Sequence, residues 1–143
     1  MIEVRIPIEA PPEEIWKVLL DIERWPEWTP SIIRLEKLDA GELHVGQRVR
    51  IEQPKLPTMT WEVTDVEPGR SFARSTSRPG ITTVGTHEIA VDGAGSEIRL
   101  RVDQRGALAL LVHLLVGRRT RRYMEQEAHG LKQRTESGAT RRD

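Results

Sequence analysis

The stretch from residue 33 to residue 106 limits the possible folds most, because runs with strand-like composition alternate there with turn sequences. The turn sequences are DAGELHVG, QPKLPT, EPGR, SRPG and DGAGS. In the run EIRLRVDQ, Ile98, Leu100 and Val102 fall on one side and charged residues fall on the other. A strand of this kind has one face on the core and one face in water. The pattern predicts six strands joined in hairpin succession.

Helical patterns lie on both sides of this stretch. The segment IEVRIPIE alternates like a strand, and APPEEIWKVLLDI then changes to helical spacing, followed by a short turn that carries Trp25 and Trp28. From Ala107 to about Thr135 the apolar residues again repeat at helical spacing. We therefore predict an α+β fold in which a curved antiparallel sheet wraps around a long C-terminal helix, with two short helices after the first strand. Residues 1–135 form one domain in this prediction, and residues 136–143 form a disordered tail.

Composition argues against several classes of function. Lys plus Arg and Asp plus Glu number 22 each, so no net charge favours nucleic acid. The absence of cysteine excludes disulfides and fits a reducing cytoplasm. The longest apolar run, ALALLVHLLVG, has 11 residues against the roughly 20 that a membrane helix needs, and MIEVRIPIEA is unlike a secretory signal. We predict a cytoplasmic protein with no integral membrane association, and the excess of Arg over Lys suggests a GC-rich bacterial source.

Several segments together carry a family resemblance over residues 2 to 135. The segments are APPEEIWKVLLDIERWPEWTPSI, GQRVRI, WEVTDVEPGRSFARS and GTHEIAVDGAGSEIRL, followed by the long Leu/Arg helix. In this order they resemble the polyketide cyclase/dehydrase-like branch of the START-like superfamily, also called SRPBCC. The resemblance implies a helix-grip fold, with seven antiparallel strands around the C-terminal helix and an apolar cavity between them. Members bind lipids, polyketides or plant hormones, and some catalyse aromatic ring closure or dehydration, so no universal catalytic residue can be carried over.

Trp25 and Trp28 have two interpretations. The resemblance implies that the WPEW turn closes one end of the grip, so the two indoles would roof the cavity. Alternatively, both indoles only seal the core against the helix at residues 12 to 22, since aromatic side chains are core residues first.

Standard catalytic and metal-binding motifs are missing from the sequence. It contains no H-E-x-x-H, no G-x-S-x-G, no P-loop and no G-x-G-x-x-G, and His44, His87, His113 and His129 lack metal-ligand spacing. The sequence therefore predicts neither a metal site nor a cofactor.

Strand pairing indicates which polar side chains face inward. If RPGI is a tight hairpin, Phe72 lies opposite His87 and Arg74 lies opposite Gly85. If DGAGS turns so that Val91 pairs with Ile98, Val102 lies beside His87 and Gln104 beside Gly85. A polar row of Gln104, Gly85 and Arg74 follows, with space above the glycine for Arg74 or a ligand.

Arg74 and His87 also have structural alternatives. The strand of Arg74 could instead turn Ser71, Ala73, Ser75 and Ser77 inward, or Arg74 could form an ion pair with Asp65 or Glu127. His87 could be a core histidine held by one hydrogen bond rather than a general base. GRRTRR, at 117 to 122, spreads its cations around the helix and fits a solvated face.

We predict three candidate functions. The first is binding of a small hydrophobic or amphipathic molecule, lipid-like or polyketide-like, in an internal cavity. The second is a cyclase or dehydratase in which His87 moves a proton and Arg74 stabilises an enolate. The third is an interaction-only module similar to the co-chaperone relatives of the superfamily. The predicted ligand-binding residues are Trp28, Val49, Ile51, Gln53, Met59, Trp61, Phe72, Arg74, Gly85, His87, Ile89, Gln104, Thr120 and Met124.

The leucines between residues 107 and 116 need a separate explanation. Leu110 and Leu114 fall near the core stripe of the predicted helix, whereas Leu108, Leu111 and Leu115 fall on roughly the opposite side. Three leucines are unlikely to be left bare together. The first helix and the WPEW turn could cover them, a second subunit could cover them in a homodimer, or they could form a mobile lid.

Overall fold

The computed structural model describes residues 1–141. Strand β1 (Ile2–Ile8) is followed by helix α1 (Pro12–Leu20), a single 3-10 turn (Ile22–Arg24) and the short helix α2 (Trp25–Trp28). Six strands come next: β2 (Arg34–Lys37), β3 (Arg48–Glu52), β4 (Met59–Glu67), β5 (Ser71–Arg78), β6 (Ile81–Asp92) and β7 (Gly95–Arg105). The long helix α3 (Ala109–Arg141) follows β7. The predicted order of strands and helices is confirmed.

All seven strands form one curved antiparallel sheet in the order β1-β7-β6-β5-β4-β3-β2. The first and last strands along the chain, β1 and β7, are therefore neighbours in the sheet. Helix α3 buries Met124, Ala128 and Leu131 in the core between helix and sheet. This arrangement is the predicted helix-grip fold, because the sheet curves around the helix and encloses the faces that carry apolar residues.

Helices α1 and α2 hold the tryptophans against this core. Two prolines and two glutamates at the start of α1 suit a helix N-terminus, and Ile15 and Leu19 on its apolar stripe are buried. The Trp25 indole donates a hydrogen bond from Nε1 to the carbonyl oxygen of Leu19 at 3.1 Å. That bond ties α2 to the end of α1 and fixes the direction of the Trp25 ring.

The register of β5 with β6 was predicted correctly and that of β6 with β7 was not. Phe72 pairs with His87 and Arg74 with Gly85, as the tight hairpin requires. In the next hairpin Leu100 pairs with His87, so Val102 and Gln104 both lie two residues from their predicted partners. The reason is a two-residue loop in which Gly93 adopts a positive φ of 62°, a tighter turn than the one assumed from the sequence.

The end of α3 differs from its prediction. The helix continues to Arg141, past the end predicted at about Thr135. The disorder predicted for residues 136–143 stays a prediction, and residues 142 and 143 lie outside the described part of the chain. Thr135 is buried, and Glu136 accepts hydrogen bonds from the backbone N–H of Glu9 at 2.8 Å and from Lys132 Nζ at 2.6 Å. These contacts with β1 and within the helix extend α3 past the apolar pattern that defined its predicted end.

The leucines at the start of α3 are not covered by α1 or α2. Leu110 is 71% exposed and Leu114 is 72% exposed, although both were placed near the core stripe. Leu108, Leu111 and Leu115 are exposed as well, so the first of the three explanations is wrong. Within residues 1–141, no helix is long and apolar enough to cross a membrane.

Candidate functional site

Neighbouring strands place four predicted site residues together on the inner face of the sheet. β5 supplies Phe72 and Arg74, and β6 supplies His87 and Gly85 directly opposite them. A Cβ built on Gly85 would lie 3.7 Å from Arg74 Nε, so the arginine side chain occupies the space above the glycine. The inward direction predicted for Phe72 and Arg74 is confirmed, and the flipped strand is excluded.

A stack of three rings forms one wall of the site. The Phe72 and His87 rings lie 4.4 Å apart and nearly parallel, and the Trp25 ring lies 5.8 Å from Phe72 and 6.3 Å from His87. The ring centroids of Trp28 and Trp25 lie 6.5 Å apart, and the two rings meet edge to face. Trp28 therefore adjoins the stack through Trp25. Of the two indoles of the WPEW turn, Trp25 is therefore the one beside the charged residues, although only Trp28 of that pair was predicted as a ligand-binding residue.

Arg74 lies between two indoles. Its Cζ atom is 5.4 Å from the Trp25 ring centroid and 4.9 Å from that of Trp61, both within the range of cation–π attraction. Arg74 is half-buried as a residue, yet Nε and Nη1 are shielded from solvent and have no hydrogen-bond partner among the described residues. Asp65 is exposed, so the proposed pairing of Arg74 with Asp65 is wrong. Buried guanidinium nitrogens without an acceptor are rare in native proteins and require an explanation.

Helix α3 contributes a buried carboxylate to the same site. His87 Nε2 and Glu127 Oε1 are 2.8 Å apart, and both side chains are buried. A carboxylate can only accept a hydrogen bond, so Nε2 carries the proton and a neutral His87 presents a lone pair at Nδ1. That Nδ1 atom is also buried and has no partner among residues 1–141.

Glu127 was considered from the sequence only as an ion-pair partner of Arg74, and it was missing from the predicted site. The signal that could have found it is its place on the helix. It follows the buried Met124 by three residues and precedes the buried Leu131 by four, so it lies on the stripe that faces the sheet. A carboxylate on that stripe is buried and requires a partner.

The charges at the site act on one another. Burial lowers the pKa of Arg74, and the nearby charge of Glu127 opposes that shift. Burial raises the pKa of Glu127, but its electrostatic interaction and hydrogen bond with His87 and the charge of Arg74 together outweigh burial, so that pKa is lowered overall. The carboxylate is thus ionised inside the protein and balances the arginine without a direct contact.

The other predicted residues form two groups. Val49, Ile51, Trp61, Ile89 and Met124 are buried on the inner faces of the strands and α3, as expected for the apolar wall. Met59, Gln53, Gln104 and Thr120 are only half-buried. Gln104 pairs with Thr83 instead of Gly85, and the Thr120 hydroxyl donates to the Val116 carbonyl at 3.0 Å, so the structure does not bring either to Arg74.

The inside of the grip is occupied by these side chains in contact with one another. The clefts that border the described residues include five that are lined by none of Trp61, Arg74 and His87. No group of three or more His, Asp or Glu side chains suited to a metal ion occurs within residues 1–141. The site is thus an aromatic box around one arginine, with a His–Glu pair at its edge.

The curved sheet, the helix across it and the polar group inside define a helix-grip protein. The chain belongs to the family described as polyketide cyclase / dehydrase and lipid transport, whose model matches residues 1–136. None of the curated proteins matches the chain at a significant level.

Solved structures with this fold include proteins of polyketide pathways. The di-domain ARO/CYC StfQ from the steffimycin biosynthetic pathway has a TM-score of 0.78 at 13% identity, covering 97% of this chain and 51% of its own. The di-domain ARO/CYC BexL from the BE-7585A biosynthetic pathway has a TM-score of 0.70 at 20% identity, covering 94% and 46%. TTHA0849 from Thermus thermophilus has a TM-score of 0.76 at 17% identity, covering 96% and 97%. The chain thus spans about half the length of the two di-domain proteins, and these likenesses show the fold.

Proposed function

We propose that the protein binds a small apolar or aromatic molecule that carries a carbonyl or carboxylate oxygen, inside the grip. The observation that carries this proposal is Arg74, whose Nε and Nη1 are buried between two indoles without an acceptor among the described residues. Leaving a buried donor unpaired costs roughly 1 to 3 kcal/mol. An oxygen of the ligand would remove that cost, and the rings would contact its apolar part.

The surroundings of Arg74 support a ligand of this kind. The inner faces of the neighbouring strands are apolar, with Val49, Ile51 and Phe72 buried, so shape and hydrophobicity select the body of the ligand. Arg74 now fills the space above Gly85. A ligand would therefore approach from the half-buried side marked by Met59 and shift the flexible arginine as it binds.

Two fluorescent probes that differ by one charge test the role of Arg74. Anilinonaphthalene sulfonate carries an anionic sulfonate, and phenylnaphthylamine has the same rings without it. We expect both to bind and to quench Trp61, with quenching reduced in Trp61→Phe. Arg74→Met removes the cation and keeps most of the volume, so sulfonate affinity falls by about tenfold, or 1.4 kcal/mol, while phenylnaphthylamine affinity is kept.

The matched control is Arg70→Met, an exposed arginine next to β5. It should bind both probes like the wild type. If neither probe binds inside the protein, ligand binding in the grip is wrong. If Arg74→Met weakens both probes equally and also lowers stability, Arg74 is a structural cation.

A second candidate function, catalysis of aldol-type ring closure, is favoured by the His87–Glu127 pair. The carboxylate holds Nε2–H at 2.8 Å, which leaves Nδ1 as the base that removes a proton next to a carbonyl. Arg74 would then stabilise the enolate oxygen that forms.

Heptane-2,6-dione provides a simple test, because its closure and loss of water give methylcyclohexenone. We expect the wild type to accelerate closure over buffer and His87→Gln to lose at least about tenfold in rate, with probe binding kept. His129→Gln, which changes an exposed histidine of α3, is the control. Equal rates in buffer and in wild-type protein would leave binding as the function.

A further inference from the structure

The start of α3 presents leucines to solvent on several sides. We name residues 108–115 the leucine finger; its leucines at positions 111 and 115 are 52% and 73% exposed. At 100° per residue, Leu110 and Leu114 lie on one flank, while Leu111 and Leu115 lie on the outer face. Met1, which is 72% exposed, borders a cleft with Leu114 and Leu115. The exposed leucines of the finger therefore lie beside the exposed Met1, which precedes β1.

Four arginines follow the finger directly along the helix. Arg118, Arg119, Arg121 and Arg122 form what we name the arginine collar, and from residue 104 to residue 124 the sequence has no Asp or Glu. The chain as a whole has no net charge, so this excess of positive charge is local. Arg118 and Arg122 are exposed and lie on the outer face, one and two turns beyond Leu115.

The distance between the leucine finger and the arginine collar matches the depth of a membrane interface. Leu111 and Arg118 are seven residues apart, which is about 10 Å along a helix. Apolar faces of interfacial helices are buried roughly 5 to 10 Å into the boundary between headgroups and acyl chains. If α3 enters this boundary with its N-terminal end first, leucines at that depth leave the collar among the phosphates of the headgroups.

The charges decide between a membrane and a second copy of the chain. Two copies joined through their fingers would place both collars at the edges of the contact, and neither finger nor collar contains an acidic residue to pair with them. An anionic lipid surface supplies the opposite charge to Arg118 and Arg122, whereas Arg119 and Arg121 also donate to the carbonyl oxygens of Lys55 and Glu3. Clusters of four or more cations on a helix are typical of such binding.

We propose that the leucine finger and the arginine collar dock the protein on the surface of an anionic membrane, without spanning it. This proposal rests on the exposure and charge of α3, not on the buried site, and it holds whether or not the grip binds a ligand. It also accounts for leucines that no other described part of the chain covers.

Flotation with vesicles tests the proposal. Vesicles of phosphatidylcholine with an equal part of phosphatidylglycerol should carry the wild-type protein, and vesicles of phosphatidylcholine alone should carry much less. We expect Leu111→Glu with Leu115→Glu, and separately Arg118→Gln with Arg122→Gln, to lower the bound fraction at least about tenfold. Added salt should also release the protein, because the collar attracts lipid through charge.

Matched control variants distinguish an effect of the finger and collar from an effect of net charge. Val45→Glu with Val91→Glu adds the same charges at positions that are 58% and 73% exposed, and Arg34→Gln with Arg70→Gln removes two exposed cations elsewhere. Both controls should bind like the wild type. Wild-type protein that fails to float, or variants and controls that float equally, would overturn the proposal. A dimer in sedimentation that the leucine substitutions convert to a folded monomer, without vesicle binding, would instead assign the finger to a second copy.

Discussion

Glu127→Ala is expected to lower the free energy of unfolding by roughly 3 to 5 kcal/mol, because it leaves a buried cation without its counter-charge. The substitution also removes the acceptor of the hydrogen bond from His87, so that buried donor loses its partner. Urea denaturation measures the loss, with an unchanged m value showing that the folded state is otherwise retained. Glu125→Ala, two residues away on the exposed side of α3, should change the free energy by less than about 0.5 kcal/mol.

A double-mutant cycle identifies the origin of that loss. In an Arg74→Met background the cation is gone, so Glu127→Ala should cost clearly less than it does in the wild type. Equal costs in both backgrounds would contradict the electrostatic coupling of Arg74 with Glu127 and leave only the bond to His87.

The same carboxylate gives the protein an acid-sensitive stability. Because the pKa of Glu127 is lower in the folded protein than the reference value of 4.5, its contribution is fully present above that value. The contribution is lost as the pH falls through 4.5 and then through the folded pKa. Thermal unfolding followed from pH 6 to about pH 3 should therefore show a smaller pH dependence in Glu127→Ala than in the wild type.

Gly130→Ala is expected to destabilise the protein by more than about 2 kcal/mol, because the new Cβ has no space. Built on the present backbone, that carbon would overlap the carbonyl oxygen of Trp28, so α3 and α2 would have to separate. Backbone at this contact cannot move aside as a flexible side chain could. Denaturation in urea and near-ultraviolet circular dichroism of the indoles would record the loss of stability and of packing.

Gly117→Ala is the matched control in the same helix. A Cβ there would lie 3.5 Å from the His113 ring, an ordinary contact. Alanine should thus keep the stability or raise it by up to about 1 kcal/mol, since it is the better helix former. A Gly130→Ala protein as stable as this control would mean that α2 can move away from α3, which would also loosen Trp28.

The unpaired Nε and Nη1 atoms of Arg74 bear on both the stability and the proposed function of the protein. Arg74 is held by two rings and by the charge of Glu127, yet its hydrogen bonds are incomplete. A ligand oxygen that paired with these nitrogens would remove the cost of leaving them unpaired. Under the proposed function, we therefore expect a molecule with an oxygen to bind more tightly than a purely hydrocarbon one.

The sequence by itself determined the elements and most of the inward faces. Alternation in runs such as EIRLRVDQ depends only on neighbouring residues, so it indicated β7 and its buried Ile98 and Leu100 correctly. The register that pairs Phe72 with His87 followed from one short turn, because a two-residue loop fixes all pairs of its hairpin. The family resemblance supplied the grip, and the family match confirms it.

The tertiary structure alone decided which side chains meet. His87 and Glu127 are 40 positions apart, and their contact depends on how α3 is rotated over the sheet, which no local pattern contains. The place of Arg74 between Trp25 and Trp61 likewise joins α2, β4 and β5 through the curvature of the sheet. The β6–β7 register differs from the predicted one because Gly93 allows a tighter loop than the one assumed from the sequence. Local periodicity is a property of adjacent residues, whereas these contacts arise only when separate elements pack at particular angles.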